Sequence, residues 1–149
     1  MLKYSTKWSV LLVAVALIAG GTQTAVAAKP FAQKKVVLQI SDPNPFKQTL
    51  VLNVASNIIK EYGVDNVDVE IVAFGPGLRL LFADNANKGR IQGLAASDVK
   101  FYACSNTTKN VAKKLGYTPE LNKNALSEGP GVVRIVKLVT EDGYTLVKP

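Results

Sequence analysis

The feature that most constrains this chain is the alternation of β-branched apolar runs with stretches of helical periodicity, because strand-helix-strand repeats close most readily on a parallel sheet with helices packed against it. Val36-Val-Leu-Gln-Ile40 is almost wholly apolar, as a strand buried on both faces requires. It breaks at Ser41-Asp-Pro-Asn-Pro45, where Asn44 can cap a helix with Pro45 in its first position. Val51, Ala55, Ile58 and Tyr62 then recur on one helical face, and Gly63 ends the run. The segment from Val67 to Phe74 begins by alternating and finishes apolar, the pattern of a strand entering the sheet from an exposed end, and it stops at Gly75-Pro-Gly77. A short apolar run, Leu80-Leu-Phe82, precedes a weaker helix carrying Ile91, Leu94 and Ala95. The strand from Val99 to Ala103 runs into Cys104, and Ser105-Asn-Thr-Thr108 opens a helix with Val111, Ala112 and Leu115 inward and Gly116 as its stop.

Residues 117 to 128 are loop-rich, with room for a short strand near Ala125-Leu126. After a second Gly-Pro-Gly at 129 to 131, Val132, Ile135, Val136 and Val139 take helical spacing, with Arg134, Lys137 and Thr140 on the other side. The β-branched content of that segment leaves a strand open as the alternative. Tyr144 to Val147 reads as a last strand. The expectation is a three-layer α/β/α sandwich, Rossmann-like, on a mostly parallel sheet of about five strands.

The first 28 residues stand apart. Lys3 and Lys7 make a basic start, Trp8 to Ile18 an apolar centre, and Thr22 to Ala28 a small-residue exit in which Ala25 and Ala27 fit the A-x-A cleavage rule. The apolar run is shorter than the roughly 20 residues a membrane span needs. The expected division is a cleavable signal peptide at 1–28, a linker at 29–34 and one domain at 35–149, giving a periplasmic or secreted protein with no membrane span after cleavage.

Composition removes much of catalytic chemistry. With no histidine there is no imidazole base or ligand, and a single cysteine allows no intrachain disulfide and no thiolate cage. No metal and no cofactor is expected: Asp42, Asp84 and Asp98 fall in no ligand spacing, and Asp42 and Asp84 read as turn and cap residues. Neither Gly-Pro-Gly turn matches a phosphate-loop pattern. The net charge of +7 is spread along the chain, and its densest cluster, Lys109, Lys113 and Lys114, reads as a solvated helix face, so no nucleic-acid partner is expected. Asn53 and Asn57 lie beside the apolar face of the first helix and are read as solvent-exposed.

Three loops fall at carboxyl ends of strands: Ser41 to Asn44, Gly75 to Gly77, and Cys104 to Thr107. Open α/β sheets bind ligands along that edge, because helix N-termini and free N–H groups converge there. Asp42, Gly75, Gly77, Arg79, Ser105, Asn106 and Thr107 are therefore the rim candidates, around Cys104. A thiol between a buried strand and the first turn of a helix feels the positive end of the helix dipole, which favours the nucleophilic thiolate, and Lys100, Lys109 and Arg79 would add to this if they reach it. A buried, inert cysteine remains the other reading of the same position.

Residues 35–149 resemble the DsrE/DsrF-like family, the superfamily that includes sulfur-relay subunits. The resemblance rests on Lys35-Val-Val-Leu-Gln-Ile40, Asn53-Val-Ala-Ser-Asn57 and Val69-Glu-Ile-Val-Ala-Phe-Gly-Pro-Gly-Leu-Arg-Leu-Leu81. It rests further on Val99-Lys-Phe-Tyr-Ala-Cys-Ser-Asn-Thr107 and on Gly131-Val-Val-Arg-Ile135 with Gly143-Tyr144. It implies a DsrE/F-like α/β/α domain, often in homo- or hetero-oligomers, and a cysteine at Cys104 that carries sulfane sulfur as a persulfide. The relay subunits are cytoplasmic, so a chain with an export signal would need exported donor and acceptor proteins of its own. Two functions follow as expectations: a sulfur carrier acting through Cys104, or a non-catalytic binding or assembly module using the rim for a small anionic ligand.

Overall fold

The computed structural model describes residue 29 and residues 32–149. The expected signal peptide lies outside the described residues. Five strands, β1 (Lys34–Ile40), β2 (Val67–Ala73), β3 (Lys100–Ala103), β4 (Ala125–Leu126) and β5 (Thr145–Val147), form one sheet in the order β4-β3-β2-β1-β5, and every pairing is parallel. The helices are α1 (Pro45–Tyr62), α2 (Lys88–Ala96), α3 (Ser105–Leu115) and α4 (Gly131–Thr140), with a 3-10 helix over Gly75–Leu81. The chain is thus the expected three-layer α/β/α sandwich.

Topology decides which helix lies on which face. From β1 to β4 the chain steps one strand at a time in one direction, so right-handed crossovers put α1, α2 and α3 on the same face. The connection from β4 to β5 runs back across the whole sheet, which sends α4 to the opposite face. Beneath the first three helices the core is apolar: Leu38, Ile40, Val69, Ile71 and Phe101 meet Val51, Leu52 and Ala55 of α1 and Ile91 of α2. Beneath α4 the apolar cluster is small, with Val37, Val72, Tyr102 and Tyr144 against Ile135 and Leu138.

The rest of that second face is charged and satisfied. The alternation in β2 arises here, since Asp68 and Glu70 point to the α4 side and are buried, not exposed at a strand end. Lys100 Nζ donates to both Asp68 oxygens at 3.0 and 2.9 Å, and the Tyr144 hydroxyl donates to Asp68 Oδ2 at 2.7 Å. Arg134 grips Glu70 with two bonds of 2.7 Å.

Four sequence expectations need correction. Lys34 is the first residue of β1 and not part of the linker, and Lys29 is tied to the domain through its N–H to Asp68 and its amine to Asp98. The α4 segment is helical but turned from its expected face: Ile135 and Leu138 are buried and Arg134 points inward, whereas Val132, Val136 and Val139 are exposed. The cause is Glu70, whose buried carboxylate needs a cation above it and takes Arg134. Tyr62 and Leu115 are exposed, because each sits in the last turn of its helix, beyond the sheet surface that covers the earlier turns. Asn53 and Asn57 are exposed as read, and Asn53 accepts a bond from Arg90.

Candidate functional site

Cys104 follows β3 directly, and the strand alternation that points Lys100 and Tyr102 toward α4 also turns its side chain there. It is the N-cap residue of α3, with extended backbone angles and its carbonyl accepting from Thr108 N–H at 2.9 Å. The sulfur therefore lies at the start of α3 and, across the sheet edge, at the start of α4. Gly131, the first residue of α4, packs so closely that a β-carbon there would stand 3.0 Å from Cys104 Cβ and 3.3 Å from Val72 Cγ1. Glycine is what lets the two helix ends share one sulfur.

The donors around the sulfur follow from this geometry. Burial by itself pushes the thiol up, but the N–H of Gly131, the Thr107 hydroxyl and the N–H groups of Thr107 and Asn106 outweigh it and hold the thiol below its ordinary value. Thr107 is oriented from behind: Gly75 N–H donates to its oxygen at 2.9 Å, which leaves the hydroxyl hydrogen for the sulfur. Ser105 N–H donates to the Gly129 carbonyl at 2.9 Å, stitching the start of α3 to the turn before α4.

Of the rim candidates, Asn106 and Thr107 gather at the sulfur, with Gly75 behind Thr107 and Ser105 beside them. Gly77 does not offer its N–H to a ligand: it is buried, and a β-carbon there would stand 2.5 Å from the Ile40 carbonyl oxygen, so it serves the close approach of the 3-10 helix to β1. The Asp42 carboxylate is occupied by Asn44 N–H at 2.9 Å and Lys47 at 3.0 Å, which hold it below the usual carboxylate range. It is a turn residue at the start of α1. Arg79 is exposed on the 3-10 helix and helps line a groove. The donors that most depress the thiol are backbone and hydroxyl groups, and Lys100 is engaged by Asp68. The thiol is also more enclosed than a strand-to-helix position alone implies, at 6% exposed, because α4 begins on top of it.

A groove of about 710 Å³ that Cys104 itself does not line runs between the 3-10 helix and α3, walled by Leu78, Phe82, Val111 and Leu115 with Arg79 and Lys114 at its edges. Gly75 and Thr107 form the end nearest Cys104. Among the described residues no cluster of three or more carboxylate or thiol side chains could hold a metal ion. Sequence reasoning missed Gly131 as a site residue. The signal was present in the second Gly-Pro-Gly turn, but its distance from Cys104 along the chain hid it.

No protein-family model and no curated protein matches this sequence. Solved structures do. The protein of unknown function MTH1491 from Methanobacterium thermoautotrophicum is 26% identical with a TM-score of 0.70, over 78% of this chain and 99% of that one. The ychN protein from E. coli is 14% identical with a TM-score of 0.58, over the same 78% and 99%. The chain shares its fold with both.

Proposed function

We propose that this protein is an exported DsrE/DsrF-like sulfur carrier that holds sulfane sulfur as a persulfide on Cys104. The observation that carries the reading is the thiol placed at two helix N-termini, as the N-cap residue of α3 and with Gly131 of α4 packed on it, which holds it below its ordinary value. The chemistry asks little else of the chain. The Cys104 thiolate attacks the outer sulfur of a donor persulfide, forming a new S–S bond as the donor's inner sulfur leaves as a thiolate. An acceptor thiolate then attacks the outer sulfur on Cys104 and returns it to the thiolate. Sulfane sulfur is passed on with no net oxidation and with no base or metal. N–H groups that favour a thiolate favour a persulfide anion for the same electrostatic reason.

Incubation with a sulfane-sulfur donor should add about 32 Da per sulfur atom to the intact protein, reversed by reductant. Cys104→Ser should take up none and remain folded. A wild-type thiol that reacts only after denaturation would overturn the reading. The enclosure of Cys104 and the adjoining groove support the second reading, a binding module that takes a small apolar anion along Arg79 and Lys114 with the thiol unreactive. Blocked thiol chemistry together with ligand binding by Cys104→Ser would favour it.

Export is part of the proposal and rests on the pattern of residues 1–28. N-terminal sequencing of protein from the extracytoplasmic fraction should begin at Ala28 or Lys29, and an intact Met1 would contradict it. Donor and acceptor proteins would then share that compartment.

A further inference from the structure

The charged face under α4 holds a group of side chains for which sulfur chemistry has no direct use. Glu70, 1% exposed in the middle of β2, receives Arg134 Nε–H on Oε1 and Nη2–H on Oε2, each at 2.7 Å. The same guanidinium lies over the ring of Tyr102, 5.1 Å from its centroid. The Tyr102 oxygen lies against Gly129, where a β-carbon would stand 3.4 Å from it. The Gly129-Pro130-Gly131 turn is thus held against the sheet: its start packs on the Tyr102 oxygen, and its helical end is tied through Arg134, whose own N–H bonds the Pro130 carbonyl at 3.0 Å. This is the turn that accepts Ser105 N–H and lays Gly131, the start of α4, directly on Cys104.

The first turn of α4 has little else to hold it. Pro130 provides no side-chain cap, Val132 and Val133 face outward, and the apolar anchors Ile135 and Leu138 belong to later turns. A two-bond guanidinium-carboxylate fork fixes rotation as well as distance, which an apolar contact does not.

We propose that Glu70, Arg134 and Tyr102 are positioning residues, a clamp that holds the start of α4 on the Cys104 sulfur without touching it. The proposal rests on Cys104 being the reactive atom, but not on what it carries. Charged and titratable groups on the surrounding elements are Asp68 and Glu70 on β2, Lys100 and Tyr102 on β3, Lys109 on α3, Glu128 in the turn, and Arg134 and Lys137 on α4. Asp68 pairs with Lys100 and Glu70 with Arg134, so four of these charges offset one another in two pairs.

The test is the titration of the Cys104 thiolate by ultraviolet absorbance in full-length wild type, Arg134→Lys and Tyr102→Phe. Arg134→Lys keeps the charge and removes the fork and the ring contact; Tyr102→Phe keeps the ring and removes the oxygen that lies against Gly129. Each should raise the thiol midpoint, with about tenfold less thiolate at pH 7 for every pH unit of increase. A loss of thermal stability with an unmoved midpoint in a folded variant would make these residues merely structural and overturn the clamp. If Arg134→Lys does not fold, Tyr102→Phe, which lacks one oxygen, decides alone. A wild-type thiol of ordinary midpoint would instead count against the reactive-cysteine reading, so the two failures are distinguishable.

Discussion

Gly77 and Gly131 are each the third residue of a Gly-Pro-Gly turn, yet the two glycines are required for different reasons. At Gly77 a methyl group would meet the backbone of β1, whose carbonyl is held in place by the sheet. At Gly131 it would meet side-chain carbons of Cys104, Val72 and Phe74, which can give by a few tenths of an ångström. Gly131→Ala should cost within the usual range of about 1–3 kcal/mol for overpacking, and Gly77→Ala at or above its upper end, as measured by denaturant unfolding. Only Gly131→Ala should also raise the thiol midpoint, because only there does the insertion push a helix N-terminus off the sulfur. An unmoved midpoint in folded Gly131→Ala would remove α4 from the account of the thiol.

At the scale of elements, β2 serves both faces of the sheet. Its odd residues are apolar and feed the core under α1, while Asp68 and Glu70 feed the charged face under α4. Burial alone would raise Asp68, but Lys100 first and Tyr144 second hold its carboxyl below the ordinary value. A depressed folded pKa stabilises above the unfolded value and is lost as pH falls through the folded one, so Asp68 contributes fully above about pH 4 and progressively less below it. Asp68→Asn should flatten that acid-side loss. At neutral pH it should also cost about 3–5 kcal/mol, because Lys100 is left nearly buried without its counter-charge. Chemical denaturation of both proteins across the acid range checks slope and magnitude together.

At the scale of the whole molecule, the return from β4 to β5 leaves α4, among the described residues, as the sole helix on its side. Because Arg134 turns inward to Glu70, Val132, Val133, Val136 and Val139 face solvent, with Val136 54% exposed. Four outward valines on a ten-residue helix form an apolar face of the kind that self-association covers. Homo-oligomerisation is accordingly expected through α4. Sedimentation equilibrium should give a mass above that of one chain for the wild type and the monomer mass for Val136→Glu. A monomeric wild type under the same conditions would remove this expectation.

The sequence by itself determined the class of fold, since the periods of its apolar runs match strand and helix in turn and the lengths of the connections permit only parallel crossovers. It also determined where the one cysteine must lie, because Phe101-Tyr-Ala-Cys104 is a buried strand ending at a helix start. Local periodicity was not enough for α4: the spacing of Val132, Val136 and Val139 describes an apolar face as well as Ile135 and Leu138 do, and only the buried charge of Glu70 chooses between them. The site divides along the same line. Gly75, Asn106 and Thr107 were legible from their place at the rim, whereas Gly131 and the clamp behind it were not. Gly131 reaches Cys104 only because the chain crosses back over the sheet, and no property of a residue reports which distant helix end will be laid on it.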